Sequence, residues 1–253
     1  MTRAVWFLIL VLATHASLLM LFTLNLRAAI LSAAGYSFGT LLILYLLFHP
    51  RNQWLVPNRS QVECNGSRCV ALTFDDGPTP VRTPRLLDIL REKNVRATFF
   101  VVGKRVEESP EIVRRAQAEG HLIATHTWSH PHLFCFLTPA RLRAEIHQGL
   151  EAVGRVCGIR PRYFRSPVGL RHPLLRPYLK AAGLEYVSWT IRSRDTLAPA
   201  PETLMQRVLG KVTAGDIILF HDNASAGSET MLEVLPGVID ELRKRGFEFV
   251  LVG

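Results

Sequence analysis

The stretch Val70-Ala71-Leu72-Thr73-Phe74-Asp75-Asp76-Gly77-Pro78 decides how the rest of the chain is read. A short apolar run with β character ends in two adjacent carboxylates and a Gly-Pro turn. Consecutive side chains on a strand point to opposite faces, so Asp75 and Asp76 reach one cavity only if the chain bends, and Gly77-Pro78 can supply the bend. Two neighbouring carboxylates repel unless a cation neutralises one of them. Taken alone, Asp-Asp-Gly is better explained as an acidic turn cap.

Outward from this stretch the pattern alternates. Further β-rich runs are Thr98–Val102, His121–Thr125, Tyr163–Arg165, Tyr186–Thr190, Ile217–His221 and Phe247–Val252. Helical patterns lie between them at about 83–93, 106–119, 138–157, 173–183, 202–213 and 229–245. Gly120, Gly158, Gly183 and Gly246 follow helical stretches as C-terminal caps do, and Thr138-Pro139 reads as an N-cap followed by proline at the first helical position. Seven strands alternating with helices predict a parallel α/β architecture, either a barrel or an open sheet. Ionisable residues then gather at one sheet edge: Asp75 and Asp76, His126 and His130, Arg165, Asp195, and His221 with Asp222 all follow strand ends. Sites in such folds form at the carboxyl ends of strands.

Composition separates this part from the N-terminus. Residues 1–50 contain no Asp or Glu and only two basic residues, Arg3 and Arg27, whereas the other 203 carry all 21 acids and 28 of the 30 bases. Two uncharged stretches, 4–24 and 28–48, are each long enough to cross a hydrocarbon core of ~30 Å, and the break Asn25-Leu26-Arg27 is short enough for a tight turn. The expected organisation is a two-helix transmembrane hairpin (1–48), a linker (49–69) rich in Pro, Asn, Ser and Gly, and a catalytic α/β domain (70–253), with the protein integral to the cell (inner) membrane. A cleaved signal peptide followed by one span is the alternative, but signal peptides have shorter apolar regions. The membrane face stays open. Arg3, Arg51 and Arg59 against Arg27 favour a cytoplasmic domain, whereas a Cys64–Cys69 disulfide would need an oxidising compartment. The composition excludes a disulfide-scaffold toxin, a disordered chain and a polytopic transporter. The basic residues are scattered and accompany no nucleic-acid-binding module, so no nucleic-acid partner is expected, and no protein partner can be inferred.

His126-Thr127-Trp128-Ser129-His130 puts two imidazoles on one face if that turn is helical. Two imidazoles and one carboxylate make a three-ligand site with an open position, the pattern of catalytic zinc. His121, as a strand or turn residue, and His132, as a surface loop residue, compete for that assignment. His221, at the end of a buried strand, is placed to act as a general acid. An arginine beside a catalytic carboxylate orients it, and an aspartate beside a histidine fixes its tautomer, which are the roles open to Arg165 and Asp195.

Thr73–Pro78, His126–His130, Arg165-Ser166-Pro167, Trp189 with Asp195, and Leu219-Phe220-His221 resemble the five ordered motifs of the NodB-homology polysaccharide deacetylases, carbohydrate esterase family 4. The resemblance covers about residues 70–253. It implies a distorted (β/α) barrel of about seven strands and a divalent metal, usually zinc. On this likeness Asp76, His126 and His130 are the metal ligands, Asp75 the general base and His221 the general acid. Arg165 tunes the base and Asp195 the acid, while Pro167, Val168, Trp189 and Leu219 face the substrate. The implied reaction is hydrolysis of an N-acetyl (N-acyl) group from an amino sugar. A membrane-anchored domain directs this expectation to an envelope polysaccharide, a glycolipid or a lipid-linked saccharide, with the bilayer as a partner. Val168 and Thr196 stand where the family usually has aromatics that line a sugar pocket, which weakens the case for polymer strands; Trp128, Phe134 and Phe136 are possible replacements. An O-acetyl esterase on the same site, or a carbohydrate-binding protein that keeps only the fold, are the alternatives.

Overall fold

A computed structural model describes residues 3–20, 26–223 and 226–253. Two helices come first, α1 (Arg3–Met20) and α2 (Leu26–Phe48). Of the described helices, α2 alone is long and apolar enough, over Arg27–Phe48, to cross a membrane, a test that a signal sequence near an N-terminus also passes. α1 accounts for 18 residues, and residues 21–25, which hold the end of the expected span and Asn25, lie outside the described residues.

The rest of the chain alternates as expected: β1 (Asn58–Arg59), β2 (Arg68–Asp75), α3 (Arg82–Glu92), β3 (Thr98–Val101), α4 (Gly103–Glu108), α5 (Pro110–Ala118), β4 (Leu122–Thr125), α6 (Pro139–Cys157), β5 (Tyr163–Phe164), α7 (Leu175–Ala182), β6 (Glu185–Val187), β7 (Ile191–Arg192), α8 (Pro201–Leu209), β8 (Asp216–His221), α9 (Ala226–Lys244) and β9 (Phe247–Phe249). The strands form one parallel sheet in the order β1-β6-β5-β4-β3-β2-β8-β7, with β9 pairing the start of β2. A Gln61–Asp216 bridge joins the segment after β1 to β8 and draws the two ends together into a distorted half-barrel.

Strand alternation explains what the barrel holds. In β2, Val70, Leu72 and Phe74 pack outward under α3, α5, α8 and α9. Cys69 and Ala71 face inward with Phe100, Ala124, Tyr163, Val187, Trp189, Ile217 and Leu219. The same parity continued by two residues sends Thr73 and Asp75, His126, Arg165 and His221 inward at the carboxyl ends. A second apolar cluster joins α6 and α7 to α1 and α2, where Leu46, Leu47 and Phe7 pack with Leu55, Val56 and Tyr186.

Three expectations need correction. The helix read over 106–119 is two helices, because Ser109 leaves helical geometry and Pro110 starts α5. The segment 49–69 is built into the fold rather than a free linker: β1 pairs with β6, and a disulfide closes the loop from Cys64 to Cys69. Its short pairing leaves no periodic signal in the sequence. The chain from His126 to His130 is not helical, since Thr127 and His130 sit at φ 67° and 56°.

Candidate active site

Asp75 leaves β2 pointing inward, and the bend that turns Asp76 into the same cavity lies at Asp76 itself, at φ 75°. That left-handed conformation is unusual for a side chain larger than glycine and marks a constrained position. Gly77 follows with a cis bond to Pro78. A β-carbon on Gly77 would stand 2.6 Å from Asp222 Oδ2, so the turn closes only over glycine. Asp222 faces away from the cavity, bound by Thr83 Oγ1 at 2.5 Å, and burial pushes its pKa up to about 6 against the lowering effect of the Thr83 and Thr79 hydrogen bonds.

Asp76, His126 and His130 converge, each offering one ligand atom within 4.8 Å of the others. Asp76 Oδ1 lies 3.4 Å from His126 Nε2 and 3.0 Å from His130 Nε2. Donors at ~2.0–2.2 Å from a tetrahedral ion stand roughly 3.3 Å from one another, so the trio fits a zinc-sized cation. His126 Nδ1 donates to the Arg165 carbonyl at 2.8 Å, which turns Nε2 towards Asp76. Burial by itself would raise the Asp76 pKa, but the hydrogen bonds and charges of the two imidazoles hold it well below the usual carboxylate range.

The left-handed turn that delivers His130 is held from α6. Glu145, fully buried, accepts from Ser129 N at 2.8 Å, Trp128 N at 3.1 Å and Ser129 Oγ at 2.7 Å. Sequence reasoning missed this residue. Its signal is an acid on the otherwise apolar stripe of Leu142, Ile146, Gly149, Leu150 and Val153. Gly149 lets the turn approach, since a β-carbon there would come 2.7 Å from the Thr127 carbonyl.

Arg165 is fully buried inside the barrel. Its Nη1 donates to Asp75 Oδ1 at 2.6 Å and Thr73 Oγ1 at 2.9 Å, its Nη2 to the Ser188 carbonyl at 2.9 Å, and its Nε to the Val187 carbonyl at 3.3 Å. The guanidinium also lies 4.0 Å above the Phe100 ring. Asp75 is thereby oriented, with its other oxygen, Oδ2, 3.9 Å from His126 Nε2.

His221 stands across the pocket. Its Nδ1 meets Asp195 Oδ1 at 2.7 Å, and its backbone N–H donates to Asp195 Oδ2, also at 2.7 Å. Ser193 Oγ fixes Asp195 in turn at 2.7 Å. Burial alone would pull the His221 pKa down, but the hydrogen bond and charge of Asp195, with Asp76 and Asp75 further away, raise it above the ordinary histidine value.

These groups surround a pocket of about 280 Å³, also lined by Val168, Gly169, Trp189, Thr196, Leu219, His132, Arg192 and Asn223. Trp189 and Leu219 are nearly buried, whereas Val168 is half exposed. Pro167 is buried and does not line the pocket. The sequence did not point to Asn223, whose Nδ2 donates to Asp76 Oδ2 at 3.0 Å, or to Arg192. His121 is excluded from the cluster: it is buried, and its Nδ1 accepts from Ala97 N at 3.1 Å. His132 remains in the surface loop, edge-on to His130 at 5.2 Å between ring centroids. Phe134 belongs to the core, Trp128 packs on Gly103 and Phe136 is exposed, so the pocket does not enlist them.

Comparison with known proteins identifies the family. A family profile described as polysaccharide deacetylase matches residues 63–187. A chitooligosaccharide deacetylase of Bradyrhizobium sp. is 36% identical over 201 residues, covering 75% of this chain and 91% of that protein. A peptidoglycan-N-acetylglucosamine deacetylase of Bacillus cereus is 34% identical over 201 residues, covering 79% and 90%. The crystal structure of the Bc1960 peptidoglycan N-acetylglucosamine deacetylase superposes with a TM-score of 0.71 at 33% identity, over 77% of this chain and 90% of that one.

Proposed function

The chain belongs to the polysaccharide deacetylase family of carbohydrate N-deacetylases, and from that premise we propose that it removes an N-acyl group from an amino sugar at a zinc site beside the membrane. The observation that carries the reading is the convergence of Asp76, His126 and His130 next to Asp75 on one side and His221 on the other.

The donor set of two imidazole nitrogens and one carboxylate oxygen is that of open catalytic zinc. When bound, such an ion supplies Lewis acidity to the N-acyl carbonyl and acidity to the attacking water. Asp75, steadied by Arg165, takes the proton of that water. The peptide N–H at Val168, in the pocket wall, is the donor we assign to the developing oxyanion. His221, kept protonated by Asp195, gives its proton to the departing nitrogen, which an amide requires because its anion is too poor a leaving group. Trp189 and Leu219 form the apolar floor against which the acyl group packs.

The division into an anchor, 1–48, and a catalytic domain, 70–253, is part of the same proposal. Support for a bilayer comes from the large apolar side chains of the hairpin, among which Leu31, Phe38 and Leu41 are 73%, 69% and 66% exposed. The Cys64–Cys69 disulfide favours the oxidising face, and Arg3, the first charge counted against that face, spends its guanidinium on the carbonyls of Gln53 and Trp54. An amino sugar in an envelope polysaccharide, a glycolipid or a lipid-linked saccharide fits this placement.

The test is mass spectrometry of envelope lipids and glycans from cells carrying the wild type or Asp75→Asn. A product lighter by one acyl group in the wild type alone supports the proposal; identical profiles refute it.

A further inference from the structure

Val168, Trp189 and Arg192 are shared by two concavities. One is the pocket already described. The other is a groove of about 780 Å³ that runs from this wall to Phe48, Pro50 and Arg51 at the foot of the hairpin. Its lining carries five cations, Arg51, Arg192, Arg194, Arg207 and Lys211, and one acid. That acid, Asp216, is buried, and its Oδ2 accepts from Thr213 N at 2.7 Å and Thr213 Oγ1 at 3.0 Å.

Several cations elsewhere share an acid: Arg82 and Arg85 share Glu229, and Arg91 and Arg115 share Asp88. Among the described residues, none of the five groove cations lies within 4 Å of a carboxylate; Arg207 donates to the Ser193 carbonyl at 3.1 Å, and the Arg192 guanidinium lies 6.0 Å from the centre of the Trp189 ring. Like charges collected in a concavity repel one another and focus a positive potential, which an anion relieves. A charge placed for solubility alone would be dispersed.

At its far end the groove meets a third concavity. Arg51 also borders a cleft of about 740 Å³ lined by Trp6, Leu10, Leu42, Tyr45 and Trp54 between the hairpin and the segment that follows it. Three environments thus follow in series, apolar, cationic and catalytic. A lipid joined through phosphate to a sugar has its parts in that order. We infer that the substrate is an amino sugar linked through phosphate or diphosphate to a lipid, with the phosphate held in the cationic groove while the N-acyl group enters the pocket. This rests on the deacylase reading and narrows it.

The test uses the full chain, zinc-loaded, in phosphatidylcholine nanodiscs, so that no anionic lipid competes. Amine release is measured from a polyprenyl diphosphate N-acetylglucosamine, from soluble N-acetylglucosamine 1-phosphate and from a neutral chitooligosaccharide. The expected kcat/KM is at least roughly tenfold higher for the lipid-linked substrate than for either other, and added salt narrows the gap. The exposed triple variant Arg51→Gln/Arg194→Gln/Lys211→Gln should cut the ratio of lipid-linked to neutral kcat/KM by about tenfold or more. Equal turnover of lipid-linked and neutral substrates, or a ratio that the variant leaves unchanged, would overturn the inference and leave the deacylase reading standing. Equal turnover of the soluble phosphosugar and the lipid-linked one would overturn the lipid component. Amine release from none of the three would remove the deacylase reading itself, and the inference with it.

Discussion

Arg165→Met removes a planar cation from the middle of the barrel. The side chain is fully buried and makes four hydrogen bonds, one of them to Asp75, whose side chain is only 5% exposed. Methionine fills much of the volume but pairs with nothing, so a carboxylate and two carbonyls lose their donor. Breaking a buried ion pair from one side costs about 3–5 kcal/mol, because the surviving charge is left uncompensated. Loss of the stacking over Phe100 adds about 0.5–2 kcal/mol. Arg165→Lys keeps a charge without the fork and should fall between wild type and Met. The decisive variant is the double one. Asp75→Asn with Arg165→Met leaves neither charge of the pair, so its cost should be about 2 kcal/mol or more below the sum of the two single costs. Guanidinium unfolding of the full chain in detergent, followed by tryptophan fluorescence, gives all three free energies. Additivity of the single costs within about 0.5 kcal/mol would refute the claim that Arg165 and Asp75 work as a pair.

Three further outcomes follow from the geometry. Asp195→Asn removes the partner that raises the His221 pKa, so the alkaline limb of the kcat/KM profile should move to lower pH while the acid limb stays; a fixed alkaline limb would separate Asp195 from the proton donor. Glu145→Gln loosens the turn that carries His130 and should weaken zinc affinity by about 10–100-fold in a chelator competition, with an unchanged affinity counting against that support. For His121, burial, reinforced by Arg115 and Arg96 and opposed by Glu119, lowers the pKa from 6.5 to about 4. Below pH 6.5 the unfolded chain takes up a proton that the folded chain refuses, so stability present at neutral pH is lost as pH falls towards 4, by about 3 kcal/mol in all. His121→Asn, which can still accept from Ala97 N, should flatten this dependence in urea titrations at pH 7 and pH 5.

The placement of the candidate site residues was legible in the sequence wherever they sat at the end of an alternating run. Asp75, His126, Arg165 and His221 all follow apolar strands in inward register, so the strand period alone sends them to one edge. The turn geometry was not legible. Nothing in His126–His130 announces that Thr127 and His130 are left-handed, because that conformation is imposed from a distance by Glu145 and by the space over Gly149. The bend at Asp76 was assigned to Gly77-Pro78 for the same reason: the residue that strains is not the one that looks permissive. The strands β1 and β7 are two residues each and make their pairings with distant segments, so they carry no period of their own. The cationic groove escaped notice because Arg51, Arg194 and Lys211 are scattered in the chain and meet only in the folded molecule.

The most direct test of the central claim is a joint measurement of metal content and amine release on purified full-length protein. The wild type and Asp75→Asn should each hold about one zinc per chain by mass spectrometry, yet Asp75→Asn should lose about 10²–10⁴-fold in deacetylation. His126→Ala/His130→Ala should lose both metal and activity. Metal that stays bound in the double variant, or activity that survives in Asp75→Asn, would contradict the account.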